Sequence, residues 1–393
     1  MYKITILGDI MFKKEMYNYN FKIILKNVKE YLEQSNLVIA NLETPISEKI
    51  TSEKIGKYSF ISPKSYIETL KENGINMLST ANNHCLDNGK KGIYETIDVL
   101  DELEIEHIGT YKNKYDKRYI VKKIENTKVA FLANTYGTNA FCNNVYIDSK
   151  DKFHICLFQA QELNNKLIRF VNKSNIFLVR VIRKFFKIFN LFDFNKPIYE
   201  RKEKSYLSRL AKEIKKMRKK ENVDYIIMMM HDGGQNNEEP IKRTENNVKY
   251  IKKLGVNAII VNHEHMIHKV LLQKNGIITY SLGNFIGING VLEEPFDKMQ
   301  EYSIGINIYF SKEKIKYTFT IFKVIFEEKE NSIMVNCLYD LIQNENNIDK
   351  KRKLIEDNKK ILNKVLKNKN YPYNDIRLEY EIEEDKKWKI VWV

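Results

Sequence analysis

The sequence has few of the residues that would build a secreted, disulfide-bonded protein. Among 393 residues it contains only four cysteines, six prolines and two tryptophans. The cysteines are scattered and show no Cys-x-x-Cys spacing, which argues against a disulfide framework or a zinc ribbon and indicates reduced, mostly structural thiols. No leader with a charged and then an apolar part precedes the strand-like run that begins at Lys3. We therefore expect the chain to stay in the cytoplasm.

Acidic residues are too few to balance the basic ones, and the excess is local. The formal net charge is +15, and residues 163–220 hold 18 Lys and Arg against four Asp and Glu. Positive charge confined to one stretch indicates a local basic segment with its own role, and it argues against a protein that coats nucleic acid. The sequence shows no basic groove interleaved with aromatic residues and no nucleic-acid motif, so we expect no nucleic-acid partner.

Histidine is also scarce, with seven residues, yet two of them follow one predicted strand. The run from Ala258 to Val261 is short, apolar and β-branched, which predicts a buried parallel strand. His263 and His265 come just after it. Open α/β sheets place their sites at the C-terminal ends of such strands, where two imidazoles can converge on one metal ion. A lone His-x-His remains a weak signal, and a structural role is its commoner use.

Other predicted strands also end in polar side chains. Asp9 and Glu43 each follow an apolar run, although an aspartate such as Asp9 more often caps a helix. Asn83 could be an oxygen ligand or simply a turn residue. Each of these signals is weak alone, but four of the seven histidines lie just past an apolar strand. Those four are His84, His231, His263 and His265.

Two further segments leave alternatives open. The cluster from Asn134 to Asn139, which contains Thr135, is suited to gripping a polar substrate or to forming a hydrogen-bonded turn. Residues 174–194 predict a helix with a broad apolar face and a cationic stripe, too short and too charged for a transmembrane span. Such a helix could lie on an anionic membrane surface. It could equally pack on the core or against a second subunit. The stripe consists of Arg180, Arg183, Lys184 and Lys187.

The order of these motifs resembles the bacterial capsule-synthesis protein family CapA, within the calcineurin-like metallophosphoesterase superfamily. The matching segments run from residue 8 to residue 285. The resemblance implies an α/β fold, a four-layer α/β/β/α metallophosphoesterase-like sandwich with metal ligands at the strand ends. We expect this domain to span residues 1–310, with a helical basic insertion at about 163–220, and a small C-terminal extension of strand and helix over 311–393. The six segments are Gly8-Asp9-Ile10-Met11, Asn41-Leu42-Glu43-Thr44-Pro45, Ala81-Asn82-Asn83-His84, His231-Asp232-Gly233-Gly234, Asn262-His263-Glu264-His265 and Ser281-Leu282-Gly283-Asn284-Phe285.

The resemblance also implies roles for individual residues. It assigns one or two divalent ions, manganese, iron or zinc, to a mixed oxygen and imidazole ligand set. His84 would be the acid that faces the leaving group. Lys14 corresponds best to a basic residue of the family's first motif, and Asn284 and Thr135 are further candidates for substrate binding. In this assignment Asp9 and His265 bind the first metal, Glu43 bridges, and Asn83, His231 and His263 bind the second.

The sequence departs from the family pattern at three places. No histidine follows Asp9 closely, Asp232 stands where the family often has Trp, and Asn262 stands where it usually has Gly. The expected function is a metal-dependent hydrolase acting on a phosphoester or a γ-glutamyl or acyl bond in capsule or surface-polymer biosynthesis, with a polymer or small anionic substrate. The alternative is a non-catalytic accessory subunit of a polymer-synthase complex, docked at the inner face of the membrane through residues 174–194.

Overall fold

The computed structural model describes residues 1–48, 60–161, 176–188, 203–292, 299–312, 314–366 and 375–382. Two β-sheets pack face to face, and helices cover the outer face of each. The α/β sandwich expected from the sequence is confirmed. Among the described residues, no helix is both long enough and apolar enough to pass through a bilayer.

The first sheet has nine strands and combines parallel and antiparallel pairing. Its parallel half holds β1 to β4 side by side, and β11 lies parallel to the end of β1. Its antiparallel half continues from β1 through β12, β13 and β14. The strands are β1 (Tyr2–Ile10), β2 (Leu37–Leu42), β3 (Met77–Ser79), β4 (Glu106–Ile108), β11 (Asn284–Ile286), β12 (Tyr302–Phe310), β13 (Ile315–Glu327), β14 (Ser332–Cys337) and β15 (Tyr380–Glu381).

The second sheet has six strands in the order β5-β6-β7-β8-β10-β9, and its four central strands are parallel. These central strands are nearly continuous apolar runs because both of their faces are covered. The strands are β5 (Ile120–Ile124), β6 (Thr127–Thr135), β7 (Tyr225–His231), β8 (Ala258–Asn262), β9 (Val270–Gln273) and β10 (Gly276–Thr279).

Three apolar layers hold the sandwich together. Alternate residues of both sheets, such as Ile6 and Phe131, form the core between the sheets. Residues of opposite parity, such as Val38 and Met228, pack under the helices on either side. The helices are α1 (Lys29–Glu33), α2 (Lys64–Glu72), α3 (Gly89–Glu102), α4 (Ala140–Asn143), α5 (Phe177–Ile188), α6 (Glu203–Lys216), α7 (Lys242–Lys253), α8 (Leu338–Asn344) and α9 (Ile348–Leu366).

The pattern of apolar residues over 15–33 predicts one amphipathic helix, but this segment does not form a single element. Two short 3-10 helices, Lys14–Asn18 and Phe21–Ile23, precede α1. Backbone groups of this segment form hydrogen bonds to a distant part of the chain. The N–H of Asn20 donates to the carbonyl of Asn331 at 2.8 Å, and the carbonyl of Ile24 accepts from the N–H of Val335 at 2.9 Å. These bonds to β14 and the turn before it replace the intrahelical ones.

Gly8 also has a different role from the one its sequence position indicates. A glycine before Asp9 predicts a sharp turn, but β1 continues through Gly8 to Ile10. A Cβ atom at Gly8 would lie 2.0 Å from the carbonyl oxygen of Gly283. Glycine is therefore required by the close approach of two backbones. This approach lets β11 lie beside β1 and places Asn284 level with Asp9.

Candidate metal centre

Polar side chains gather where the parallel strands of both sheets end. In the first sheet Asp9 is level with Asn41 and with Asn284, and in the second His231 is level with Asn262 and with Thr135. The carboxyl ends of parallel strands share one edge of a sheet, so residues distant in sequence meet there. Because the two sheets face each other, both edges contribute to one buried cluster.

The Glu43 carboxylate lies at the middle of this cluster. It is 0% exposed, and neither carboxylate oxygen has a hydrogen-bond partner among the described residues. Its Oε1 lies 3.5 Å from Nε2 of His231, and 3.9 Å from Nε2 of both His265 and His84. Burial acts to raise the pKa of Glu43, but the surrounding histidines outweigh it and hold the pKa well below its usual range. Positive charge close to its oxygens is therefore what would favour the charged form of this buried carboxylate.

Asp9 occupies the side of the cluster nearest the first sheet. Its Oδ1 accepts a hydrogen bond from Nδ2 of Asn41 at 2.7 Å, and its Oδ2 accepts one from the backbone N–H of His263 at 3.3 Å. Oδ2 also lies 3.6 Å from Nδ1 of His265. Burial, followed by the neighbouring charge of Glu43, raises the pKa of Asp9 well above its usual value. A bound cation would remove this penalty by favouring both carboxylates in their charged forms.

The histidines of the second sheet approach one another closely. Nε2 of His231 lies 2.7 Å from Oδ1 of Asn83 and 3.0 Å from Nδ1 of His263. Nδ1 of His265 lies 2.9 Å from Oδ1 of Asn284. Burial and the nearby imidazoles lower the pKa of His263 well below its usual value, and burial also lowers that of His265. Neutral imidazole is the form that binds metals.

The donor set fits one or two divalent cations. Ligand atoms of Asp9, Glu43 and His231 lie within 4.8 Å of one another, and so do those of Glu43, His263 and His265. The two groups share Glu43, which also has the two unpartnered oxygens. Asn83 adds an amide whose Nδ2 has no partner in the part of the chain that the structure describes. All of the side chains that the resemblance assigns to metal are therefore brought together.

The backbone is strained at the two histidines after β8. The backbone φ angle is +121° at His263 and +58° at His265, and residues other than glycine rarely adopt positive φ values. Strain of this kind costs ~1–3 kcal/mol per residue and persists only where the surrounding structure enforces it. It lets both imidazoles turn into the cluster although a single residue separates them.

His84 faces the cluster from the first sheet. Its Nδ1 lies 2.7 Å from Oδ2 of Asp87, and its ring stacks on Phe60 with centroids 4.0 Å apart. Burial opposes the charged imidazole, but the carboxylate of Asp87 overcomes it and raises the pKa of His84. Because Nδ1 faces Asp87, Nε2 is left to face Glu43, as a proton donor beside the metal ligands would require.

The three candidate substrate residues have different surroundings. Asn284 lies within the cluster, against His265. The hydroxyl of Thr135 donates to the carbonyl of Gly137 at 3.0 Å, so it serves the hydrogen-bonded turn that was its alternative role. Lys14 is exposed on a 3-10 helix. Its half-buried neighbour Lys13 is the basic residue whose charge acts on His84.

Sequence reasoning gave no role to two residues of the site. Asn41 bridges Asp9 and His231, with its Nδ2 2.7 Å from Oδ1 of the first and 3.2 Å from Nδ1 of the second. Its signal was its place two residues before Glu43, on the same predicted strand end. Asp87 could have been found from its i, i+3 spacing to His84 within the turn after β3.

Comparisons with known proteins identify the family. The family described as "Bacterial capsule synthesis protein PGA_cap" matches residues 3–288. The chain is 26% identical over 313 residues to the capsule biosynthesis protein CapA of Bacillus anthracis, covering 77% of this chain and 64% of that protein. It is 20% identical over 308 residues to the PGA biosynthesis protein CapA of Bacillus subtilis (strain 168), covering 77% and 68%. The chain thus spans less than two thirds of the length of the Bacillus anthracis relative.

Two solved structures show distant similarity. TT1561 of Thermus thermophilus aligns with a TM-score of 0.38 at 7% identity, covering 86% of this chain and 98% of that one. GAP50, the anchor in the inner membrane complex of Plasmodium, aligns with a TM-score of 0.36 at 9% identity, covering 81% and 85%.

Proposed function

This chain belongs to the bacterial capsule synthesis protein PGA_cap family, and on that basis we propose that it is a metal-dependent hydrolase in capsule or surface-polymer biosynthesis. The bond it acts on is a phosphoester or a γ-glutamyl or other acyl bond. The names of the two relatives, which concern capsule and PGA biosynthesis, support the polymer context.

One observation carries the proposal. Glu43 is fully buried, and neither of its carboxylate oxygens has a hydrogen-bond partner within the described ranges. A buried carboxylate of this kind is costly unless a cation binds it. The ring nitrogens of His231 and His265 lie within 4 Å of it, and they are the ligands that manganese, iron and zinc accept together with carboxylate oxygen.

The residues around the centre have separable roles. Asp9, Glu43, Asn83, His231, His263 and His265 would hold the metal, which when bound supplies Lewis acidity and charge neutralisation. His84 holds a proton at Nε2 and gives it to the leaving oxygen or nitrogen of the substrate. Asp87 fixes the ring of His84 from behind, and Lys13 adds positive charge near an anionic substrate.

The first test is metal content by elemental analysis of three proteins purified identically: native, His263→Ala and His107→Ala. His107 lies outside the cluster and contacts Asp101, so its variant controls for loss of a histidine. We expect one or two metal ions per chain in the native protein and in His107→Ala, and fewer in His263→Ala. Native protein that stays empty when offered manganese, iron and zinc would overturn the proposal.

The second test is hydrolysis with the metal that the first test identifies. Phosphoesters and γ-glutamyl amides are screened with native protein and His84→Ala. We expect turnover in the native protein and a loss of ~10²-fold or more in His84→Ala, the usual contribution of a general acid. A metal-loaded native protein that cleaves neither class would leave the centre as a structural or binding site.

A second candidate function is docking on a membrane, as an accessory of a polymer-synthase complex. The observation that favours it is the exposed apolar face of α5, which includes Phe177 at 78% and Leu178 at 65% exposure. Arg180 and Lys184 are exposed on the same helix, three and seven residues after Phe177 and so beside it in the helical register, and residues 176–188 contain no acidic residue. An apolar face flanked by basic residues fits the interface of an anionic bilayer.

Vesicle sedimentation tests this docking. Native protein is compared with Phe177→Ser/Leu178→Ser, and with Arg180→Gln/Lys184→Gln, on vesicles with and without anionic lipid. The control is Lys215→Gln/Lys216→Gln on α6, which removes the same charge from another exposed helix surface. We expect both α5 variants to lose binding to anionic vesicles and the control to retain it. Equal binding of all four proteins would rule out α5 as the contact.

A further inference from the structure

A second pocket lies on the opposite face of the second sheet from the metal centre. Side chains alternate along β6, so Thr135 faces the space between the sheets while Asn134 follows Ala130 and Leu132 on the outer face. At the end of this outer face, under α6, is a cavity of about 230 Å³. Its walls come from the chain before β5, the end of β6, residues 152–157 and α6.

The lining of this pocket is strongly cationic. The lining contains four basic side chains and one carboxylate, that of Glu213. Arg209 and Lys152 form no ion pair with a described residue. Arg118 is held in place, because its guanidinium donates to the carbonyl of Phe153 and lies 4.3 Å from the centroid of the Tyr111 ring. The basic residues are Lys114, Arg118, Lys152 and Arg209.

The amide of Asn134 belongs to the lining of the same pocket. Asn134 is only 6% exposed, and no described residue forms a hydrogen bond with its side chain. Its amide atoms are not fully enclosed by protein, so they are open to hydrogen bonds from a ligand or water in the cavity. Apolar walls from Phe153, Leu157 and Leu210 complete the cavity. The pocket therefore combines charge, a hydrogen-bonding group and apolar surface, as small-molecule sites do.

From this combination we infer that the pocket is a binding site for a small oxoanion, a carboxylate or a phosphate, separate from the metal centre. The guanidinium groups of Arg118 and Arg209 meet the oxyanion, since planar N–H donors match its paired oxygens. Asn134 binds a second polar group of the ligand, and Leu210 contacts its apolar part. The charge of Glu213 acts on both arginines from a longer distance, without an ion pair to either. Burial raises the pKa of Glu213, and the arginines act against that rise.

The test is calorimetric titration of the full chain with inorganic phosphate and, separately, with succinate. Native protein is compared with Arg209→Gln, with Asn134→Ala and with Lys212→Gln. Lys212 is an exposed residue of α6 outside the pocket lining, so its variant controls for loss of one charge. Arg209 is exposed as well, so its replacement does not disturb the core.

We expect at least one of the two anions to bind saturably. Its Kd should rise about tenfold or more in Arg209→Gln and stay unchanged in Lys212→Gln. The same titration in His263→Ala separates this pocket from the metal centre: retained binding assigns it to the pocket, and lost binding overturns the inference. Saturable binding of phosphate alone, or of succinate alone, identifies the class of anion. The inference also fails if neither anion binds, or if both pocket variants bind like the native protein.

Discussion

Nδ1 of His84 lies 2.7 Å from Oδ2 of Asp87, within a single turn of chain after β3. Asp87 is itself fixed, because its Oδ2 accepts from the backbone N–H of Phe60 and its Oδ1 from Nδ2 of Asn143, both at 2.8 Å. The imidazole is thereby held with Nε2 directed at the candidate metal centre, 3.9 Å from Oε1 of Glu43. The orientation of the His84 ring is therefore set by the folded protein alone.

Replacing Asp87 with Asn should lower the pKa of His84. The carboxylate of Asp87 raises that pKa against the effect of burial. A group with a raised folded pKa is protonated, and contributes stability, at pH below its unfolded value, and this contribution is lost as pH rises through the folded pKa. In Asp87→Asn the His84 ring should therefore lose its proton at a lower pH than in the native protein. An NMR pH titration of the His84 ring measures this pKa.

The control for this titration is Asp101→Asn. Asp101 lies 3.1 Å from Nε2 of His107, outside the centre, so its loss should leave the His84 titration unchanged. A midpoint for His84 in Asp87→Asn that equals or exceeds the native one would contradict the assigned role of Asp87.

Metal binding should stabilise the native fold measurably. A ligand that binds only the folded state at 100 times its Kd adds about 2.7 kcal/mol to the free energy of unfolding. We expect manganese or zinc to raise the Tm of the native protein and a chelator to lower it. Glu43→Gln should abolish the metal-induced rise, because it removes the shared charged ligand. Differential scanning calorimetry with and without metal checks this.

Asp357→Asn is the matched control, since Asp357 is a buried carboxylate that is not part of the cluster and accepts a hydrogen bond from the hydroxyl of Tyr302. Its variant should melt at lower temperature yet keep the metal-induced rise in Tm. If Glu43→Gln retains the full rise, Glu43 is not a ligand and the cluster must bind metal in another way.

The convergence of the centre was predictable because parallel strands end at a common edge. The apolar runs before Asp9, His231 and His263 were visible in the sequence, and the polar residue at each end was the signal. The way these strand ends come together depends on packing between distant segments, which no single segment of sequence shows. Nothing in the residues around Gly8 indicates that the backbone at Gly283 will pass so close that no Cβ fits.

The sequence pattern was least informative where backbone groups bond to distant residues and not to their neighbours along the chain. Residues 15–33 have a helical pattern, but Asn20 and Ile24 bond to β14 and the turn before it, more than 300 residues later. Asp232 is a second case, because the sequence shows it only as a departure from the family's Trp. In the structure it is fully buried and accepts two hydrogen bonds from Arg243, at 2.6 and 3.1 Å.

Removing Arg243 should therefore destabilise the fold near the centre. The guanidinium of Arg243 also lies 5.0 Å from the ring of Tyr136, which in turn packs 4.9 Å from the ring of His263. Arg243→Ala would leave Asp232 with Asn247 as its remaining side-chain partner, at 2.9 Å. We expect a loss of ~2 kcal/mol in the free energy of unfolding, the usual size for hydrogen bonds to a charged group.

Urea denaturation measures this loss, and two further variants define its cause. Arg243→Lys should recover only part of it, because an ammonium group lacks the paired Nε–H and Nη2–H donors that both bond Oδ1 of Asp232. Arg352→Ala removes an exposed arginine paired with Glu356 and should cost less than ~1 kcal/mol. Equal losses in Arg243→Ala and Arg352→Ala would mean that the bonds to Asp232 contribute no more than a surface pair.

The ion pair between Lys3 and Glu379 lies near the start of β1, at the end of the strand away from Asp9. It should make the free energy of unfolding depend on pH. Nζ of Lys3 donates to Oε1 of Glu379 at 2.8 Å, and Tyr309 and Thr318 donate to the same carboxylate. Burial acts to raise the pKa of Glu379, but these donors outweigh it and lower the pKa. A carboxylate with a lowered folded pKa contributes stability above its unfolded pKa, and this is lost as pH falls through the folded value.

Glu379→Gln should therefore cost ~2 kcal/mol near pH 7, and the difference from native protein should shrink at about pH 3, below the ordinary Glu value near 4.3. Urea denaturation at both pH values checks it. Glu381→Gln is the control, since Glu381 is 56% exposed and pairs with Lys316 at the surface. It should cost little at either pH. A difference between Glu379→Gln and native protein that is the same at both pH values would show that the side chain acts by packing alone and not by its charge.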